Sequence, residues 1–122
     1  MMRRKTGILG EKIARDFLGK NGYEIVETNY RCADGEMDII ARQEDTLVFI
    51  EVRTKKSRRF GTPEESITPR KKEKLRTVAE RYLQDLGGLP ASWRIDVVAI
   101  EMDKKDEVRR IEIIENAVEG ED

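Results

Sequence analysis

The stretch Leu47-Val-Phe-Ile-Glu-Val-Arg-Thr-Lys55 sets a carboxylate, Glu51, between Ile50 and Val52 in an apolar, β-branched run. A carboxylate in that position needs a partner, because burying a lone charge is strongly unfavourable. Another acidic strand, Gly35-Glu-Met-Asp-Ile-Ile-Ala-Arg42, lies just upstream, and Gln43-Glu-Asp-Thr46 between them has the length of a hairpin turn. With Glu44-Asp45 as the turn, Gln43 faces Thr46 and Asp38 falls opposite Glu51. Directly opposed residues share a sheet face with Cβ atoms roughly 4.5–5.5 Å apart, where like charges oppose folding. A divalent cation would reverse the sign of that interaction. The same register sets Glu36 opposite Arg53, and the two-residue period of a strand puts Arg53 on the face of Glu51. Two acids and a cation therefore converge. The plainer alternative is a cross-strand ion pair between Glu36 and Arg53, with Asp38 bonded to turn amides, since structural ion pairs commonly imitate sites.

Composition narrows the chemistry open to such a cluster. The chain has no histidine and a single cysteine, Cys32. That excludes Ser-His-Asp and Cys-His catalysis, a thiolate zinc site and an internal disulfide framework. Hard oxygen ligands remain, and with them Mg²⁺ or Mn²⁺. Lys plus Arg number 24 against 25 Asp plus Glu, a net charge of −1, so any site for a polyanion must be local. The 122 residues suit one domain spanning 1–122 that buries about two-thirds of its unfolded surface. Met1-Met-Arg-Arg-Lys5 is basic but leads into no apolar segment, and no run approaches the roughly 18 apolar residues of a membrane span. The chain reads as soluble and cytoplasmic, with no membrane partner.

The elements that must position these residues follow from periodicity and turn chemistry. Thr6 is the expected cap of a helix running to about Lys20 and stopped by Asn21-Gly22, with Ile8, Ala14 and Leu18 as its apolar stripe. Glu11 falls beside that stripe, either as a site acid or as a rim residue paired with Arg15. A strand over 23–28 and a loop over Asn29–Gly35 precede the hairpin. Lys55-Lys-Ser-Arg-Arg-Phe-Gly-Thr-Pro63 is a basic loop leaving the Glu51 strand, placed to grip phosphates. Thr68-Pro69 starts a second helix whose core face is Leu75, Val78, Ala79, Tyr82, Leu83 and Leu86, ending at Gly87-Gly88. Lys71 continues that face into the first turn, flanked by Arg70 and Lys72. Trp93–Ile100 and the alternating 107–114 are further strands, the last at an edge, and 1–5 and 115–122 are expected to fray. The order α-β-β-β-α-β-β predicts an α/β fold with a mixed five-stranded sheet flanked by helices.

An acid, about a dozen residues, then Glu-X-cation on the next strand is the layout of metal-dependent nucleases of the PD-(D/E)XK type. A wider pattern accompanies it: Gly10-Glu11 with Ala14, Asn21-Gly22-Tyr23, Asn29-Tyr30-Arg31, Gly35-Glu36 with Asp38, Leu47–Arg53, Ser66 and Thr68 with Lys71, and Arg94–Ala99. Together these resemble the YraN-like family of small bacterial proteins, over about Gly7 to Ala117. That family is distantly similar to archaeal Holliday-junction resolvases, with a restriction-endonuclease-like fold. The resemblance implies Glu11, Asp38 and Glu51 as ligands of Mg²⁺ or Mn²⁺, with Asp38, Glu51 and Arg53 catalytic. Arg31, Lys55, Lys56, Arg58, Arg59 and Lys71 are the expected phosphate contacts.

The expected activity is hydrolysis of DNA, including branched or structured DNA, and symmetric cutting of two strands would favour a homodimer. Arg53 departs from the nuclease pattern, which has lysine there. Arginine holds its charge at physiological pH in a planar fork and cannot accept a proton. Lys55, farther along the same face, and Lys71, if its helix caps the site, are candidate replacements. The alternative function is a nucleic-acid-binding module of the same fold with little or no catalysis; a protein-interaction domain is a third class. Asp96 is either a further acid of the site or a buried partner of Arg94.

Overall fold

The computed structural model describes residues 5–118. Helix α1, Lys5–Lys20, precedes strands β1 (Glu24–Cys32), β2 (Gly35–Gln43) and β3 (Thr46–Lys55). A short 3-10 turn, Glu64–Ser66, then leads into helix α2 (Pro69–Asp85) and strands β4 (Ser92–Met102) and β5 (Val108–Ile114). The strands form one five-stranded sheet in the order β1-β2-β3-β4-β5. All neighbours are antiparallel except β3 and β4, which run parallel. A parallel pair needs a crossover, and the segment carrying α2 is that crossover. The expected mixed α/β sheet and element order are both present. Among the described residues no helix is long and apolar enough to cross a membrane.

Each face of the sheet carries one helix. Ala14 and Leu18 of α1 pack with Ile39, Ala41, Val48, Ile50, Val98 and Ile100. Leu75, Val78, Ala79 and Leu83 of α2 pack with Met37, Ile40, Leu47, Phe49 and Ile95 on the other face. Central strands covered on both sides read as continuous apolar runs, which is why Leu47–Ile50 and the β4 stretch from Ile95 to Ile100 are buried throughout. Fully burying one such large side chain contributes about 1.5–3 kcal/mol.

Helix ends follow local chemistry. Thr68 caps α2, its Oγ1 accepting the Lys71 N–H at 3.1 Å, with Pro69 in the first turn as expected. Helix α1 stops where Gly22 takes φ 85° and the Tyr23 N–H bonds back to the Leu18 carbonyl at 3.0 Å.

Three expectations are corrected. Thr6 lies inside α1, whose first described residue is Lys5, and so is not its cap. The loop expected over Asn29–Gly35 shrinks to Ala33-Asp34, because Tyr30, Arg31 and Cys32 pair with Met37, Glu36 and Gly35. Residues 115–118 do not fray. The Ala117 N–H bonds to the Ile95 carbonyl at 2.9 Å, and Val118 is buried in the α2-side core. Residues 1–4 and 119–122 of the two tails lie outside the described residues.

Candidate functional site

The site begins where two strands part. The β2–β3 ladder runs from Gln43 opposite Thr46 to Ile39 opposite Ile50, the register expected from the turn. Beyond it β2 stays with β1, while β3 stays with β4 through Lys55. Asp38 and Glu51 stand at this fork. Asp38 Oδ2 accepts the Val52 N–H at 2.8 Å, so a side chain satisfies an amide that the neighbouring strand no longer reaches. The alternation of β2 also breaks here. Met37 and Ile40, three residues apart, both face α2, whereas Ile39 and Ala41 face α1. Asn29 on β1, in the left-handed region at φ 54°, is absent from a register that resumes with Tyr30 and Met37. The expected opposition of Glu36 and Arg53 is not formed. With the strands diverged, Glu36 pairs with Arg31 Nε at 3.2 Å, and Arg53 turns to Glu51.

Both helices close on the fork with their N-terminal halves. A Cβ at Gly10 would fall on Thr54 Oγ1, with the Thr54 Cβ at 3.3 Å, so only glycine lets α1 lie this near β3. One residue on, Glu11 is brought into the cleft. From α2 comes Lys71. The resulting cavity of about 770 Å³ is lined by Glu11, Glu36, Asp38, Glu51, Arg53, Lys56 and Lys71, together with Thr6, Gly7, Val52 and Thr54.

Glu51 is 6% exposed and Glu11 7%. Arg53 Nη2 stands 3.0 Å from Glu51 Oε2 and Lys71 Nζ 3.7 Å from the same oxygen. Burial, and then the adjacent Asp38 carboxylate, push the Glu51 carboxyl up to about 8, with Lys71 and Arg53 pulling the other way. Glu51 thus holds its proton more tightly than an ordinary carboxyl, and a hydrogen bond with Asp38 adds to that effect. A buried acid with a raised proton affinity beside a second acid is chemically suited to exchange that proton for a divalent cation, and the donors are the hard oxygens that Mg²⁺ and Mn²⁺ prefer. Asp38 and Glu51 meet directly, and Glu11 shares their cavity. Among the described residues no three carboxylates are already gathered into a complete ligand set.

A family model described as "Uncharacterised protein family UPF0102" matches residues 10–100. The chain belongs to this family. That span holds Glu11, Asp38, Glu51, Arg53 and Lys71. A UPF0102 protein of Moorella thermoacetica is 47% identical over 117 residues, covering 96% of this chain and 98% of the relative. One of Caldicellulosiruptor saccharolyticus is 45% identical over 117 residues, covering 96% and 99%. A third, of Syntrophus aciditrophicus, is 43% identical over 115 residues, covering 94% and 89%.

The basic residues of this UPF0102 chain divide sharply. Arg53, Lys56 and Lys71 line the cavity, although Lys56 also pairs with Asp106 at 2.5 Å. Arg31, Lys55, Arg58 and Arg59 do not line it. Lys55 Nζ donates to the Phe60 carbonyl at 3.3 Å, and the Arg59 guanidinium lies 5.4 Å from the Phe60 ring centroid. Arg58 grips Glu101 through two bonds, 2.5 and 2.9 Å, and holds that carboxyl down to about 2. The Arg58–Glu101 pair anchors the basic loop to β4, while the Lys55 and Arg59 contacts lie within the loop.

Asp96 is the structural acid of its two readings. It is 0% exposed and accepts bonds from Tyr23 Oη at 3.0 Å, Arg94 Nε at 2.9 Å and the Asn116 N–H at 2.9 Å. Sequence reasoning missed Thr54 and the Val52 amide. Gly10 inside a helical pattern was the available signal for a close helix–strand approach.

Proposed function

We propose that this protein is a divalent-metal-dependent nuclease that hydrolyses phosphodiester bonds of DNA, with branched or structured DNA as the substrate to test first. The observation that carries this reading is the half-buried Asp38 against the buried Glu51, set at a strand fork and faced by Arg53 and Lys71 in an open cleft. Asp38 and Glu51 would hold Mg²⁺ or Mn²⁺, with Glu11 completing the set. Such an ion would neutralise charge on the scissile phosphate and lower the pKa of an attacking water. Arg53 orients Glu51 through its ion pair and adds positive charge to the cleft floor. The resemblance to nucleases of the PD-(D/E)XK type, with acids in the same order on successive strands, supports the same assignment. Linear, forked and four-way DNA incubated with Mg²⁺ or Mn²⁺ provide the test. Wild type should cut at least one substrate, and Asp38→Asn and Glu51→Gln should cut none; a folded wild type that cuts none refutes the reading.

A second reading has one observation in its favour. Arg53, standing where a nuclease lysine is expected, is committed to Glu51 at 3.0 Å. A DNA-binding module without catalysis would fit that commitment. It would bind DNA with a salt dependence that counts phosphate contacts, unchanged in Asp38→Asn.

A further inference from the structure

We infer that Lys71, rather than Arg53 or Lys55, supplies the cation that acts on the phosphate undergoing attack; this rests on the nuclease reading above. Hydrolysis adds water across one P–O bond. The water oxygen bonds to phosphorus, the bond to the leaving sugar oxygen breaks, and a proton from the water ends on that oxygen. Negative charge gathers on the phosphoryl oxygens in between, and a fixed positive group aimed at them lowers the barrier. The question is which cation of this cleft can reach them.

Arg53 is 30% exposed but held by Glu51 at 3.0 Å, with its Nε buried without a hydrogen-bond partner, so its guanidinium is committed to that acid. Lys55 is turned onto the Phe60 carbonyl and does not line the cavity. Lys56 lines it but pairs with Asp106. Lys71, which lines the cavity as Arg53 and Lys56 do, differs in how loosely it is held. Its backbone is fixed by the Thr68 cap, and its side chain, 35% exposed, lines the cavity. Its ammonium stands 3.7 Å from Glu51 Oε2, a Coulombic contact longer than a hydrogen bond. A flexible stem with three donors can swing from that contact to a phosphate oxygen once Glu51 is otherwise engaged. Lys71 acts here as a standing charge and transfers no proton. The ammonium expected on the strand is thus delivered from the helix that crosses over it.

Steady-state cleavage by wild type, Lys71→Met, Lys71→Arg and a charge-loss control, Lys104→Ala on the exposed β4–β5 turn, reads this directly. Melting curves establish that each variant is folded, and Lys71→Gln replaces Lys71→Met if that variant is not. Lys71→Met should lower kcat by about 100-fold with KM nearly unchanged. Lys71→Arg should recover part of the loss, and Lys104→Ala should match wild type. If wild type cuts and Lys71→Met cuts equally well, or loses only in KM, this inference is overturned while the nuclease reading stands. If wild type cuts no substrate, both fall together.

Discussion

The Asp38 carboxylate accepts the backbone N–H of Val52 at 2.8 Å, across the point where β2 and β3 separate. One oxygen of a candidate metal ligand therefore continues the sheet's hydrogen bonding after the ladder itself has ended at Ile39 and Ile50. Folding and the site are coupled through that bond, and the two roles of Asp38 can be taken apart by substitution.

Asparagine at position 38 keeps an oxygen for the Val52 amide and offers an N–H to Glu51, removing a like-charge pair without changing shape. Asp38→Asn should raise the metal-free melting temperature by about 2–6 °C at pH 9, where Glu51 is ionised. It should also abolish the rise that Mn²⁺ gives the wild type, since linked stabilisation grows as RT ln(1 + [L]/Kd). Asp38→Ala leaves the Val52 amide without its acceptor and should be less stable than wild type by about 1–3 kcal/mol, melting lower. If both variants melt lower to the same extent, and Mn²⁺ still stabilises the asparagine form, the pair is not a metal site.

The Glu51 carboxyl sets a pH dependence with a definite sign. Its value is raised from an ordinary 4.5 to about 8 in the folded chain. Below 4.5 both folded and unfolded chains hold the proton. Between 4.5 and 8 only the folded chain does, so stability falls as pH rises, and above about 8 the loss is complete. Metal-free melts from pH 5 to 9 should show this decline, and Glu51→Gln should flatten it. Because metal must displace the Glu51 proton, Mn²⁺ affinity by calorimetry should rise with pH up to about 8. A wild-type profile that matches that of Glu51→Gln would contradict the assignment.

Gly10 is a contact residue, despite sitting in a helix where alanine is about 1 kcal/mol more favourable. Gly10→Ala would drive a methyl onto Thr54 Oγ1 and should destabilise the chain by about 1–3 kcal/mol despite that propensity gain. Thr54→Ala in the same chain removes the obstructing hydroxyl and should recover part of the loss. Denaturant melts of the four proteins of this cycle measure the coupling. Strict additivity would mean that α1 does not depend on this approach to reach β3.

Asp96 should behave differently from the cleft acids. Removing it leaves Arg94 and the Tyr23 hydroxyl without their shared partner inside the sheet end. Asp96→Ala should cost about 3–5 kcal/mol by chemical denaturation. At a temperature where this variant remains folded, Mn²⁺ should still stabilise it as much as wild type. A specific loss of the Mn²⁺ effect would place Asp96 in the metal site after all.

The sequence by itself determined the order of elements, the second helix with its Thr68 cap, and the β2–β3 register. These rest on local physics: Thr-Pro at a helix start, a two-residue turn at Glu44-Asp45, and side-chain periods of 2 and 3.6 residues. The acids Asp38 and Glu51 were legible for the same reason, since a carboxylate inside an apolar run is conspicuous. The length of β1 was not legible. Tyr30-Arg-Cys32 follows the turn-like Asn29, and pairing with Gly35–Met37 and the edge-on packing of Tyr30 against Tyr82 at 5.0 Å keep it extended. Nor was the packing of 115–118, which depends on the Ile95 carbonyl and Asp96 far back in the chain. The tertiary structure alone decided that β2 and β3 part at Asp38, that Glu36 pairs with Arg31, and that Lys71 rather than Lys55 stands over Glu51. Periodicity assigns a side chain to a face, whereas where strands diverge and how near a helix end approaches depend on contacts between residues distant in sequence.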